Sequence, residues 1–178
     1  MRARRVVTGH DSDGKAVFAS DQEVDPLTMA LLPGAEFHRL WGADRAQSFP
    51  GDGSPTAQPS YFPPVGGYRF GLFTVAPANI PVPAHLDLPA ALAEVEEKLP
   101  GLLAHMEFDN PGMHTTDTID FEVVLSGEVV LELDDGAEKA LRPGDTVVQN
   151  GTRHRWRNPG TEPAVLAVFI TGAFRASG

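Results

Sequence analysis

An all-β fold, a sandwich or a closed barrel, is what this sequence predicts, and three observations carry that expectation. Glycine (18) and proline (16) punctuate a chain of 178 residues so often that mostly short elements fit between them. The stretch 114–125 alternates polar and apolar residues with a period of two, the signature of a strand with two unlike faces. Only one stretch, 88–99, repeats its apolar residues at helical spacing.

The elements follow in order. Residues 4–20 read as a hairpin, with strands at 4–10 and 15–20 and a turn from Asp11 to Gly14. The Asp-x-Asp-Gly order of that turn resembles a calcium loop but lacks the distal glutamate, so it is read as a turn. Strands are expected at 36–41 and 68–75, separated by a Gly-, Pro-, Ser- and Ala-rich excursion over 42–67. Leu88, Ala91, Leu92, Val95 and Leu99 then form one helical stripe, with Glu94, Glu96, Glu97 and Lys98 largely away from it. Asp87 is placed to cap this helix, Pro89 is tolerated in its first turn, and Pro100 with Gly101 stops it. Its stripe suits it to cover apolar sheet surface. Strands resume at 105–108, 114–125, 128–133, 146–149, 154–157 and 164–171, with turns at 134–136 and 158–160. The run 164–170 is apolar on both faces and is expected to be the most buried strand.

Composition narrows the function. A hydrophobic content of 42% over this length fits a single domain with a substantial core. The formal charge of −10 and pI near 4.9 argue against nucleic acid or an anionic membrane as partner. Arg2, Arg4 and Arg5 are too few to reverse that balance. No apolar run is long enough for a membrane helix, and no apolar stretch follows the first arginines as in a secretory signal. The sequon at Asn150 therefore reads as a turn. Without cysteine there is no disulfide, thiolate ligand or Cys nucleophile. A cytoplasmic protein is the expectation.

Chemistry concentrates in the last third. On the 114–125 strand, His114, Thr116, Thr118, Asp120 and Glu122 share one face, while Ile119, Phe121, Val123 and Leu125 share the other. His154 and Trp156 share a face in a second short run. A solvated polar face would explain the first pattern, and a cavity lined by imidazoles and carboxylates would explain both. Trp156 reads as a cavity wall, a stacking platform or plain core packing. Arg153, Arg155 and Arg157 lie opposite, in a solvated or subunit-facing row suited to pairing with Glu128 or Glu132. His10, His38, His85 and His105 have no partner pattern and read as surface or satisfied core residues. Glu107, on the 105–108 stretch, is a further candidate to lean into the cavity.

Those residues resemble the cupin family of small β-barrels. The family's first motif runs Gly, five residues, His-x-His, three or four residues, Glu, six residues, Gly. His114 stands at its first histidine, Thr116 at the second, Asp120 at the glutamate and Gly127 at the closing glycine. The second motif runs Pro-x-Gly, two residues, His, three residues, Asn. Gly151, His154 and Asn158 match it, with Gln149 in place of the proline. The resemblance covers 112–171.

What the resemblance implies is a double-stranded β-helix, a jelly-roll cupin barrel in one domain over 1–178. That domain would comprise an N-terminal β extension with loops (1–85), an inserted helix (86–104) and the barrel core (105–174). It implies a divalent metal (Fe, Mn, Ni or Zn) held here by His114, Asp120 and His154, a two-histidine, one-carboxylate set. Glu122 and Asp120 are then the acid/base candidates, and Thr116, Thr118 and Trp156 the candidate cavity residues. No organic cofactor is evident. Two functions stay open: a metal-dependent oxygenase, isomerase, decarboxylase or lyase of small-molecule metabolism, and a metal-free module that binds or senses a small organic ligand. The expected partners are that small molecule and, by the family's habit of strand addition, a second copy in a homodimer.

Overall fold

In a computed structural model, which describes residues 2–176, the chain forms ten strands and one helix. The strands are β1 (Ala3–His10), β2 (Ala16–Val24), β3 (Glu36–Ala43), β4 (Tyr68–Val75), β5 (Thr118–Ser126), β6 (Val129–Glu132), β7 (Glu138–Leu141), β8 (Thr146–Asn150), β9 (Arg155–Arg157) and β10 (Ala164–Gly172). β1 and β2 pair as a separate hairpin. A five-stranded sheet runs β3-β4-β10-β5-β8 and a three-stranded sheet runs β7-β6-β9. All these pairings are antiparallel. The result is a jelly-roll barrel, with Val75, Val124, Val129, Ala164 and Leu166 packed between its two sheets. No helix among the described residues is long and apolar enough to cross a membrane.

The one helix, α1 (Leu88–Lys98), starts where expected, with Asp87 Oδ1 accepting from the Ala90 N–H at 3.1 Å. Its stripe delivers Val95 and Leu99 to a second core with Met29, Phe37 and Leu102. Burying each of those side chains contributes about 1.5–3 kcal/mol. The helix is tied down by Glu94, which accepts from Ala30 N–H, and by Lys98, which donates to Thr28 O. It therefore seals one side of β3 and leaves the outer face of β5 uncovered.

β5 is the strand that positions the site. Its register sets Asp120 opposite Ile170 and Glu122 opposite Val168 of β10. Thr118, Asp120, Glu122 and Val124 are buried, whereas Phe121, Val123 and Leu125 are 45%, 37% and 48% exposed. The polar face points into the barrel and the apolar face points out, which is the cavity arrangement rather than the solvated one.

Three expectations need correction, and one strand, β7, was not expected. Residues 105–108 are no strand: a 3-10 turn (Leu103–His105) precedes a single bridge from Met106 to His114. The strand expected from 114 starts only at Thr118, because His114 is held by its own bridge to His154. β7 had no visible pattern, since Glu138, Lys139 and Ala140 are all exposed. β10 is not buried throughout, for Phe169 is exposed on the outer face. The motif's closing glycine has a steric reason: Gly127 sits at φ 73°, and a Cβ there would lie 2.7 Å from Ala164 Cα.

Candidate functional site

A cavity of about 350 Å3 opens in the barrel. Aromatic and aliphatic side chains make most of its wall, among them Phe37, Tyr61, Phe62, Phe73 and Trp156. Four ionisable side chains besides Tyr61 face it: His114, His154, Asp120 and Glu122. No lysine or arginine lines it among the described residues. A mostly apolar pocket with a few convergent polar groups is the usual form of a small-molecule site.

The histidines form one pair. His114 and His154 exchange both backbone hydrogen bonds, at 2.9 and 3.0 Å, which sets their rings 4.2 Å apart. Each ring is then oriented by a carbonyl. His114 Nδ1 lies 3.1 Å from Gly112 O, and His154 Nδ1 lies 2.9 Å from Thr152 O. A carbonyl can only accept, so Nδ1 carries the proton and each Nε2 keeps a lone pair. Gln149, at the place of the motif's proline, donates to Thr152 O at 3.1 Å and to Thr152 Oγ1 at 2.6 Å, fixing the turn that orients His154. Burial lowers the pKa of both rings. His154 falls to about 4, with His114 the second cause, so both imidazoles are neutral at physiological pH.

The carboxyls form the other pair. Asp120 and Glu122 are 5% and 7% exposed, and Asp120 Oδ1 and Glu122 Oε2 are buried with no hydrogen-bond partner. Burial pushes Asp120 up to about 6, against a hydrogen bond from Thr118. Burial and then the neighbouring Asp120 push Glu122 up to about 8. Two carboxyls on one strand face, without a cation beside them, cannot both ionise cheaply. Their environments push them apart, so that at neutral pH one is an acid and the other a base.

Other expected site residues are placed differently. Trp156 does line the cavity, in edge-on contact with His154. Thr116 and Thr118 are buried but line no part of it; their hydroxyls bond one another at 2.7 Å. Glu107 turns away and grips Arg153 with both oxygens at 2.6 Å. That pair clamps the segment carrying His114 to the one carrying His154. Arg155 and Arg157 both pair with Glu132, whereas Glu128 goes to Arg142. Asn158 is a staple: its amide donates to Val75 O and Glu162 O.

Sequence reasoning missed most of the wall. Tyr61 and Phe62 come from the Pro- and Gly-rich excursion, Leu31 and Leu32 from the turn before β3, and Ile80 and Val82 from the loop after β4. Tyr61 is held by its N–H to Pro100 O, and burial first, then Asp120, keeps its phenol protonated. Aromatics inside a turn-rich stretch, where solvated residues are the norm, were the one available signal.

Comparison with known proteins fits this picture. Residues 106–171 match the cupin domain model. Over that segment, rather more than a third of its length, the chain is similar to cupins. The Oryzines biosynthesis cluster protein J of Aspergillus oryzae is 43% identical over 60 residues, which is 34% of this chain and 34% of that relative. The chain thus spans about a third of the length of that relative. The Cupin-domain-containing oxidoreductase srdB of Neurospora crassa is 26% identical over 170 residues, covering 93% of this chain and 70% of its own. A solved cupin 2 conserved barrel domain protein from Salinispora arenicola superposes with a TM-score of 0.45 at 18% identity, over 86% of this chain and 92% of that one.

The divalent ion that cupins often hold can be tested against these donors. The two Nε2 lone pairs, each with Nδ1 tied to a carbonyl, are what a metal would accept. A third ligand is not gathered: among the described residues, no group of three or more His, Asp or Glu side chains is arranged to hold an ion. Thr116, where a further histidine would stand, is spent on Thr118. The imidazole pair and the carboxyl pair both face the one cavity.

Proposed function

We propose that this cupin is a small-molecule enzyme that binds a largely apolar substrate in the barrel cavity and moves a proton on it, with Glu122 as acid and Asp120 as base. The observation that carries this is the carboxyl pair, two buried acids with unpartnered oxygens facing one cavity. Leaving such atoms unpaired costs about 1–3 kcal/mol each, a cost that a bound substrate would remove. The neutral imidazoles of His114 and His154 accept hydrogen bonds from a second part of the substrate and orient it. The name of the Neurospora crassa relative supports a redox outcome. The side chains here supply no electron acceptor, so their part is to bind, to exclude water and to shift a proton. The Aspergillus oryzae name supports a place in the making of a specialised metabolite.

Proton exchange tests the reading. A panel of aryl-alkyl ketones, aldehydes and amines is held in D2O with wild type, Asp120→Asn and Glu122→Gln, and deuterium at the carbon beside the carbonyl or nitrogen is read by NMR. Wild type should exchange at least one probe roughly 100-fold faster than either variant. Equal exchange by all three proteins, or none by wild type above buffer, overturns it. Tight binding without exchange would leave the cavity as the site of a binding module.

A further inference from the structure

The ligand's charge can be read from what the cavity lacks. Among the described residues, every ionisable group facing it apart from Tyr61 is an acid or a neutral imidazole, and no lysine or arginine lines it. Of the free atoms of these groups, Asp120 Oδ1 and the two Nε2 atoms are lone-pair sites, and Glu122 Oε2 shares one proton-poor pair with Asp120. Such a wall repels carboxylates and phosphates, for which it has no counter-charge. It asks for donors, and best of all for a donor that brings positive charge into a place where an acid lacks its partner.

We infer that the ligand of this cavity carries a protonated amine, seated on the Asp120–Glu122 pair, on an otherwise uncharged and mostly apolar body. The inference rests on the reading of this cavity as the substrate site. Two further observations support it. Tyr61 lines the same cavity close enough to feel both carboxyls, and Phe37, Phe62 and Phe73 stand in the same wall. Aromatic faces attract an ammonium that a carboxylate already anchors. The volume sets the body: a dry cavity of about 150 Å3 holds one benzene, so about 350 Å3 takes a bicyclic system or a ring with a short chain. A hydrogen-bond donor elsewhere on that body would meet the imidazole pair.

The test uses three probes of one shape that differ only in charge: para-butylbenzylamine, para-butylbenzyl alcohol and para-butylbenzoate, titrated by calorimetry near neutral pH into the full chain. Charge-assisted hydrogen bonds predict that the ammonium binds roughly 10- to 100-fold tighter than the alcohol, with the carboxylate weakest. In Asp120→Asn and in the Asp120→Asn, Glu122→Gln double variant, each checked for a wild-type circular dichroism spectrum, that preference should shrink to within about threefold. The inference is overturned if the alcohol or the carboxylate binds as tightly as the ammonium, if the preference survives the double variant, or if none of the probes binds. Ammonium preference without proton exchange keeps this inference and removes the acid–base step. Exchange on probes with no ammonium preference does the reverse.

Discussion

Replacing Glu122 by glutamine should stabilise the protein near pH 8 and weaken it near pH 5. The Glu122 carboxyl, near 4.5 when free, is pushed up to about 8 by burial and by Asp120. A raised carboxyl keeps its proton in the folded chain after the unfolded chain has lost it. Its contribution is therefore whole below about pH 4.5 and is lost as pH rises through about 8. At about 1.4 kcal/mol per tenfold in proton affinity, the span from 4.5 to about 8 is worth roughly 5 kcal/mol. A glutamine amide has no proton to lose, but it leaves a buried polar group short of partners at every pH, at a cost of about 1–3 kcal/mol. The variant should thus lose about 1–3 kcal/mol near pH 5 and gain roughly 2–4 kcal/mol above pH 8. His154, lowered to about 4, works the other way, because its neutral form costs stability as pH falls below 6.5. That slope is shared by both proteins and cancels in their difference. Urea unfolding followed by tryptophan fluorescence at several pH values measures the difference directly. A difference that stays constant from pH 5 to pH 8, or that favours wild type more as pH rises, refutes the raised carboxyl and with it the role of Glu122 as acid.

Two further outcomes are expected. After loading with Zn2+, Fe2+, Mn2+ or Ni2+ and desalting, wild type should retain well under one ion per chain by elemental analysis, and Thr116→His should not raise that, because Thr116 does not face the cavity; one retained ion per chain that His114→Ala removes would put a metal at the centre instead. We also propose that the exposed row Phe121, Val123, Leu125 and Val148, which α1 leaves uncovered, is buried against a second copy of the chain; light scattering at micromolar concentration should give a dimer for wild type and a monomer for Phe121→Asp, and a wild-type monomer would sink this.

How much of this was legible depended on whether the signal was local. The stripe of α1 and its Asp87 cap are properties of neighbouring residues and came through nearly to the residue, as did the alternation of β5 from Thr118 on. The strand's start was misplaced where a single long-range bridge replaced a ladder: His114 sits opposite His154, and nothing within residues 114–117 reveals that only a bridge forms there. β7 was silent because an edge strand with Glu138, Lys139 and Ala140 in solvent has no face to bury. The walls of the cavity were illegible for a related reason. Much of them comes from three loops whose side chains meet the strands only after the barrel has formed, and loops have no period to read.

The inverted faces of β5 tie the site to the fold. In an ordinary antiparallel sheet the apolar face packs inward and the polar face meets water. Here Asp120 and Glu122 point inward, so the barrel core can be apolar only where other strands supply the packing, which Val124, Val129 and Leu166 do at one end. At the other end the core gives way to the cavity. Replacing the two acids by apolar residues of similar volume would remove the orphaned oxygens and their desolvation cost, so stability alone gives no reason to keep them. A pair of acids held against that cost, in one cavity with two imidazoles that are each held in one tautomer, is strain of the kind found where a ligand supplies what the fold withholds.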